Sequence, residues 1–310
     1  MSNYINYYYT IYPDAIHEQN KTFYFIYNDE KYFFMPYNRP YEDVKYLYEL
    51  NVEMIRRGSL VHEIILNKDK SAITLVNDIP YILMRVYINE HNGIKLNDIV
   101  FMSISNLNIK PNQTLDRTDW KGLWSAKMDY FEYQISQIGK KYPIICECFS
   151  YYIGIAENAI AYVRNTMLEV EKTPYDTFSV AHKRIKEDYT DFDIYNPLSL
   201  IIDYSVRDIS EYIKAKFFAS EDVWPEIEDY FNNYELSIFS KRMLYARLLF
   251  PSYFFDVYEA IVEGKLNEEY ILSIVYKTTE YEEFLNEFHI FINRGNLIPQ
   301  IDWLTKKNSY

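Results

Sequence analysis

Glycine is scarce in this chain, with 7 among 310 residues, and the first of them is Gly58. A loop whose backbone amides cradle phosphate needs glycine for close approach, so no such loop is expected ahead of residue 58. Cysteine is scarcer still: Cys146 and Cys148 are the only two. One residue apart, they cannot found a disulfide framework, which points to a reducing compartment. No second pair or nearby histidine completes a zinc site around them, and both are expected to be small core residues. Runs of Lys and Arg are also missing. The net charge is −13, with Asp and Glu spread along the whole chain. Such a chain is a poor candidate for binding nucleic acid or an anionic membrane through long-range attraction. No apolar run reaches the ~18 residues of a membrane-spanning helix. The opening Met1-Ser2-Asn3-Tyr4 has neither the basic region nor the apolar stretch of a secretory leader. A soluble intracellular protein is expected.

What is abundant is tyrosine, with 34 residues, beside many Ile, Asn and Lys. An AT-rich genome accounts for that set most simply; tyrosines kept for oxidative cross-linking are the functional alternative. Apolar residues make up 49% and charged residues 25%, enough for a large buried core.

The first 90 residues read as strands around one helix. Thr22–Asn28 and Lys31–Tyr37 form a hairpin across Asn28-Asp29-Glu30. In the helix that follows, Pro40 lies near the first turn and Val44, Leu47, Tyr48, Val52 and Ile55 recur on one face. Arg56 and Arg57 fill the last turn, and Gly58 takes the left-handed stop position. Strands are predicted at His62–Leu66, Ala72–Val76 and Tyr81–Tyr87, with one further strand possible before the hairpin. Asn89–Asp98 reads as a connector. After it, Trp120–Ile138, Ile145–Thr166 and Met243–Val262 have helical spacing, the last kinked at Pro251, and Ser199–Asp203 is more strand than helix. The predicted fold is α+β and two-lobed. A β-rich lobe (1–90) and a mostly helical lobe (91–310) are joined by a hinge at about 87–98, the layout of the protein-kinase-like aminoglycoside and choline kinases.

Phosphoryl transfer in that layout needs a glycine-rich loop, a lysine on the third strand held by a helix glutamate, and an acid on an H-G-D loop. An Asn five residues after that acid and a second Asp at a later strand end hold Mg²⁺. Most are absent. In Lys31-Tyr32-Phe33-Phe34-Met35-Pro36, Met35 or Pro36 occupies the lysine position, and Glu49 or Glu53 would be the partner glutamate, more simply read as a solvated or locally paired carboxylate. In Val180-Ala181-His182-Lys183-Arg184 the histidine is present, but Arg184 replaces the acid, and Tyr189 stands five residues on. Arg184 stays protonated at any usable pH and would repel Mg²⁺. Asp203, in Ile201-Ile202-Asp203-Tyr204, fits the strand-end metal ligand, and we expect Arg184 to pair with it in place of the metal. Asp208, in Arg207-Asp208-Ile209-Ser210-Glu211, fits a structural aspartate, and His182 is expected to be buried and bonded to backbone. Asp188, Asp191 and Asp193 lack the glycine and terminal glutamate of a calcium loop and read as solvated acids.

Several segments resemble one family. They are Trp120-Lys121-Gly122-Leu123-Trp124 with Lys127–Glu132, Phe149–Ile160, His182-Lys183-Arg184, Arg207–Ile213, Arg242–Pro251 and Ile298–Leu304. Together they are similar to the YutH family of spore-coat-associated kinase-like proteins of endospore-forming Firmicutes, relatives of the CotS coat proteins. The resemblance implies a kinase-like fold, expression in the cytoplasm of the sporulating mother cell, and association with the forming coat. It supplies neither activity nor substrate. The leading expectation is a pseudokinase that binds a coat or other protein partner, with a degenerate site at His182, Arg184, Asp203 and Asp208 and no cofactor. The alternatives are an active ATP-dependent phosphotransferase, with Asp203 holding Mg²⁺ and one of Asp188, Asp191 or Asp193 as base, or an ATP sensor without turnover.

Overall fold

Asparagine, rather than glycine, turns the chain in its first part. Asn20-Lys21, Asn28-Asp29 and Asn77-Asp78 hold both residues at positive φ, between 49° and 65°. These are type I′ hairpin turns, whose twist matches that of the strands they join, and Asn and Asp tolerate the left-handed region best among non-glycine residues. The structure, a computed structural model, describes residues 1–87, 93–112, 114–295 and 297–305.

The chain opens with α1 (Ser2–Tyr9), a helix not foreseen from the sequence, followed by β1 (His17–Gln19), β2 (Thr22–Tyr27) and β3 (Glu30–Pro36). Next come α2 (Asp43–Arg56), β4 (Glu63–Ile65), β5 (Thr74–Val76), β6 (Ile79–Val86) and α3 (Leu96–Ser105). The strands form one antiparallel sheet in the order β1-β2-β3-β6-β4, with β5 also on β6. Period-2 alternation puts Phe23, Phe25, Tyr32, Phe34, Tyr81 and Leu83 on one face, where Ile5 and Ile11 cover them.

The amphipathic face of α2 differs from the expected one. Asp43, Leu47, Leu50, Asn51 and Met54 are buried, whereas Val52 and Ile55 are exposed. Hydrophobicity alone misplaced the stripe because two of its members, Asp43 and Asn51, are polar residues with dedicated partners. The stop is as expected: Gly58 has φ +76°.

Two long helices follow, α4 (Trp120–Ile138) and α5 (Pro143–Glu169), the second longer at both ends than its apolar pattern suggested. Then come β7 (Phe178–His182), the short α6 (Asp191–Ile194) and β8 (Leu200–Tyr204), with β7 and β8 pairing antiparallel. The chain ends in α7 (Arg207–Phe218), α8 (Trp224–Asn233), α9 (Ile238–Leu249), α10 (Ser252–Val262), α11 (Leu272–Val275), α12 (Thr278–Ile292) and α13 (Asp302–Thr305). Pro251 separates two helices rather than kinking one. It has no N–H to give, and it holds Phe250 in an extended conformation at ψ 118°. Cys146 is exposed rather than a core residue, because the first turn of α5 turns it outward.

The chain divides into two compact units, Met1–Asp116 with Phe178–Ser205, and Arg117–Thr177 with Val206–Tyr310. The expected hinge lies at about 87–98, of which residues 88–92 lie outside the described residues. The first unit holds the sheet and the β7–β8 pair. In the second, α5 packs between α4 and α9, and α9 against α7. That core contains charge: the Glu211 carboxylate lies 2.9 Å from both Lys214 and Arg247, and Arg247 also stacks over Trp120 and Trp124. Among the described residues no helix is long and apolar enough to cross a membrane.

Candidate functional site

Alternation along β3 decides which residue holds the lysine position. Lys31, Phe33 and Met35 share one face, while Tyr32 and Phe34 lie in the core beneath α1, on the face Pro36 shares. Phe33 packs on Phe192, in the segment between β7 and β8, with ring centroids 4.8 Å apart. The Lys31/Phe33/Met35 face therefore looks toward that segment, and of the two candidates for the lysine position Met35, not Pro36, lies on it. Neither helix carboxylate offers itself as a lysine partner. Glu53 is bound by Arg56 at 2.7 Å and Arg57 at 2.8 Å, whose hydrogen bonds pull its carboxyl down to about 2. Glu49 is exposed and lies 3.9 Å from Lys45. Both carboxylates border a cavity of about 470 Å³, together with Tyr46, Leu50, Lys110 and Ile202.

His182 ends β7 fully buried, and its Nε2 donates to the Ile194 carbonyl at 2.8 Å. Arg184 follows on the loop, half-buried, with Nη1 donating to the Lys183 carbonyl at 3.3 Å. Asp203 lies on β8 opposite Ser179; it is completely buried and accepts the Tyr204 amide at 2.7 Å. Asp208 is buried in the first turn of α7, in the other compact unit. Of the three loop acids, Asp193 caps α6 by accepting both the amide and the hydroxyl of Thr190 at 2.9 Å, while Asp188 is exposed.

The residues that organise this region were not singled out from the sequence. His62, just before β4, is fully buried. Its Nε2 donates to the Phe192 carbonyl at 3.1 Å, its amide donates to the Tyr195 carbonyl at 2.8 Å, and its ring lies 4.9 Å from that of Phe192. Nδ1 has no partner among the described residues. Burial therefore pushes the imidazole down to about 4. Asn51, on α2, fixes His62 from behind: its amide nitrogen donates to the His62 carbonyl and its oxygen accepts the Ile64 amide. Arg39 pairs with Asp43 at 2.9 Å, both buried, and donates to the carbonyls of Leu198 and Leu200. The only sequence signal at Phe192 is an apolar ring set between Asp191 and Asp193.

The positions expected to meet ATP and Mg²⁺ differ from what that contact requires. The β1–β2 connection is the two-residue turn Asn20-Lys21, too short to cover phosphates. Met35 carries no charge, and Arg184, at the position expected for the acid, is a cation. Among the described residues no cluster of three or more His, Cys, Asp or Glu is arranged to hold a metal.

The fold is that of the aminoglycoside phosphotransferases. An aminoglycoside phosphotransferase from Alicyclobacillus acidocaldarius superposes with a TM-score of 0.64 at 10% identity, covering 94% of this chain and 96% of that one. A microcompartment-associated aminopropanol kinase gives 0.51 at 9% identity, covering 93% and 97%. The endospore coat-associated protein YutH of Bacillus subtilis (strain 168) is 29% identical over 211 residues, 61% of this chain and 62% of that protein's length. A family model described as "Spore coat putative kinase YutH" matches residues 2–288, and the chain belongs to that family.

Proposed function

We propose that this protein is a pseudokinase, a binding or structural module of the spore coat that keeps the phosphotransferase fold without its chemistry. The observation that carries this reading is a pair of replaced charges. Met35 stands on the β3 face where phosphate contact requires lysine, and Arg184 stands where the acceptor hydroxyl requires an acid. The old partner glutamate supports it, since Glu53 is engaged by two arginines of its own helix. The role is exercised in the mother-cell cytoplasm and then at the coat, through a protein partner. The test is deposition in a sporulating host. A fluorescently tagged chain carrying Asp203→Asn, shown by circular dichroism to be folded, should reach the coat as the unaltered chain does. Loss of deposition in that folded variant, together with nucleotide turnover by the unaltered chain, would overturn the proposal.

A further inference from the structure

The face of β3 opposite α1 is not an open shelf. Phe192 lies against it, and the contact is held in place from several directions. The ring meets Phe33 at 4.8 Å and His62 at 4.9 Å, at interplanar angles of 40° and 33°. The backbone behind the ring is pinned by two fully buried histidines, His62 bonding the Phe192 carbonyl and His182 the Ile194 carbonyl. The Tyr195 carbonyl takes the His62 amide, and Thr190 with Asp193 closes the front of the turn. Phe192 itself stays half-exposed, so its ring forms the lip of the contact rather than part of a sealed core.

Position gives this contact its meaning. Phe33 is two residues before Met35 on the same face, and Phe192 is eight residues beyond Arg184, on the segment leading to β8. In the phosphotransferase plan a nucleotide lies between the lysine-bearing face of the third strand and the loop that carries the acid. A planar base stacked between two rings needs them about 7 Å apart, two contact distances of roughly 3.5 Å. The rings of Phe33 and Phe192 are already in contact at 4.8 Å.

We propose that Phe192 is a built-in occupant of this cleft, a side chain that takes the place of a planar heteroaromatic ligand and closes the site to one. This inference rests on the pseudokinase reading and adds how the vacated site is sealed. It makes a positive prediction that ordinary core packing does not: removing the ring should create a slot walled by Phe33 and His62 that accepts a flat heterocycle.

The probe is adenosine, which needs no phosphate contacts. The chain with Phe192→Ala should bind it at least tenfold more tightly than the unaltered chain, read by calorimetry and as a rise in melting temperature with adenosine concentration. Phe33→Ala opens the slot from the opposite wall and should gain binding as well, and Phe192→Trp should keep it shut. Folding is checked by far-ultraviolet circular dichroism and by hydrogen exchange in the first unit. The four tryptophans (120, 124, 224 and 303) all lie in the second unit and do not report on the first. Folded Phe192→Ala and Phe33→Ala chains that take adenosine no better than the unaltered chain would overturn the inference and leave the pseudokinase reading standing. Turnover of ATP by the unaltered chain would strike that reading directly.

Discussion

Acid should loosen the first compact unit through a single residue. His62 is fully buried, its Nε2–H is spent on the Phe192 carbonyl, and its bare Nδ1 has no partner among the described residues. A proton added at Nδ1 would bring a charge into an apolar site against the rings of Phe192 and Tyr195. The imidazole accordingly ionises at about 4, below its ordinary 6.5. The sign follows from proton counts. Between pH 6.5 and pH 4 the unfolded chain holds this proton and the folded chain does not. Stability from this group is therefore full above pH 6.5 and falls as the pH drops through that window. The loss comes to roughly 2.5 kcal/mol at pH 4.5 and about 3 kcal/mol in the acid limit. Other groups titrate in the same range, so the assay is a difference. Opening free energies of the amides in 60–66 and 189–196 are measured by native-state hydrogen exchange, at pH 7 and pH 4.5, for the unaltered chain and for His62→Gln. The substitution has its own pH-independent packing cost; the quantity of interest is the change with pH, which should be about 2.5 kcal/mol smaller in the variant. Equal pH dependence in the two chains would refute the reasoning.

Two further outcomes follow from the same structure. Arg39→Ala strands the buried Asp43 carboxylate and frees the carbonyls of Leu198 and Leu200, so the first unit should lose roughly 3–5 kcal/mol, read by urea titration with circular dichroism. In the folded chain, iodoacetamide followed by mass spectrometry should label the exposed Cys146 well before Cys148, whose thiol burial pushes up to about 11; equal rates would contradict the placement of α5.

Much of the fold was legible because the hydrophobic period is strong where it matters. The paired aromatic runs of β2 and β3, the turn at Asn28-Asp29 and the apolar stripe of α4 all appear where sequence periodicity puts them. What failed to show has a common physical cause, burial of polar groups by partners distant in sequence. Asp43 and Asn51, being polar, do not count toward an apolar stripe on α2, yet they are buried by Arg39 and by the backbone of His62 and Ile64. β7 was hidden for a different reason. Phe178–His182 is too short to show a period of its own, and its pairing with β8 spans a gap of 17 residues. At the site, sequence spacing brought forward His182, Arg184, Asp203 and Asp208. It could not reveal that Phe33, His62 and Phe192 meet, because that contact joins three segments across about 160 residues.

The most direct measurement of the central claim is calorimetric titration of the unaltered chain with ATP and Mg²⁺ at neutral pH. With Met35 in the lysine position, Arg184 in the acid position and Phe192 against Phe33, no saturable heat should appear up to millimolar nucleotide, and no phosphate should be released. Saturable binding accompanied by Mg²⁺-dependent phosphate release, both abolished by Asp203→Asn, would contradict it.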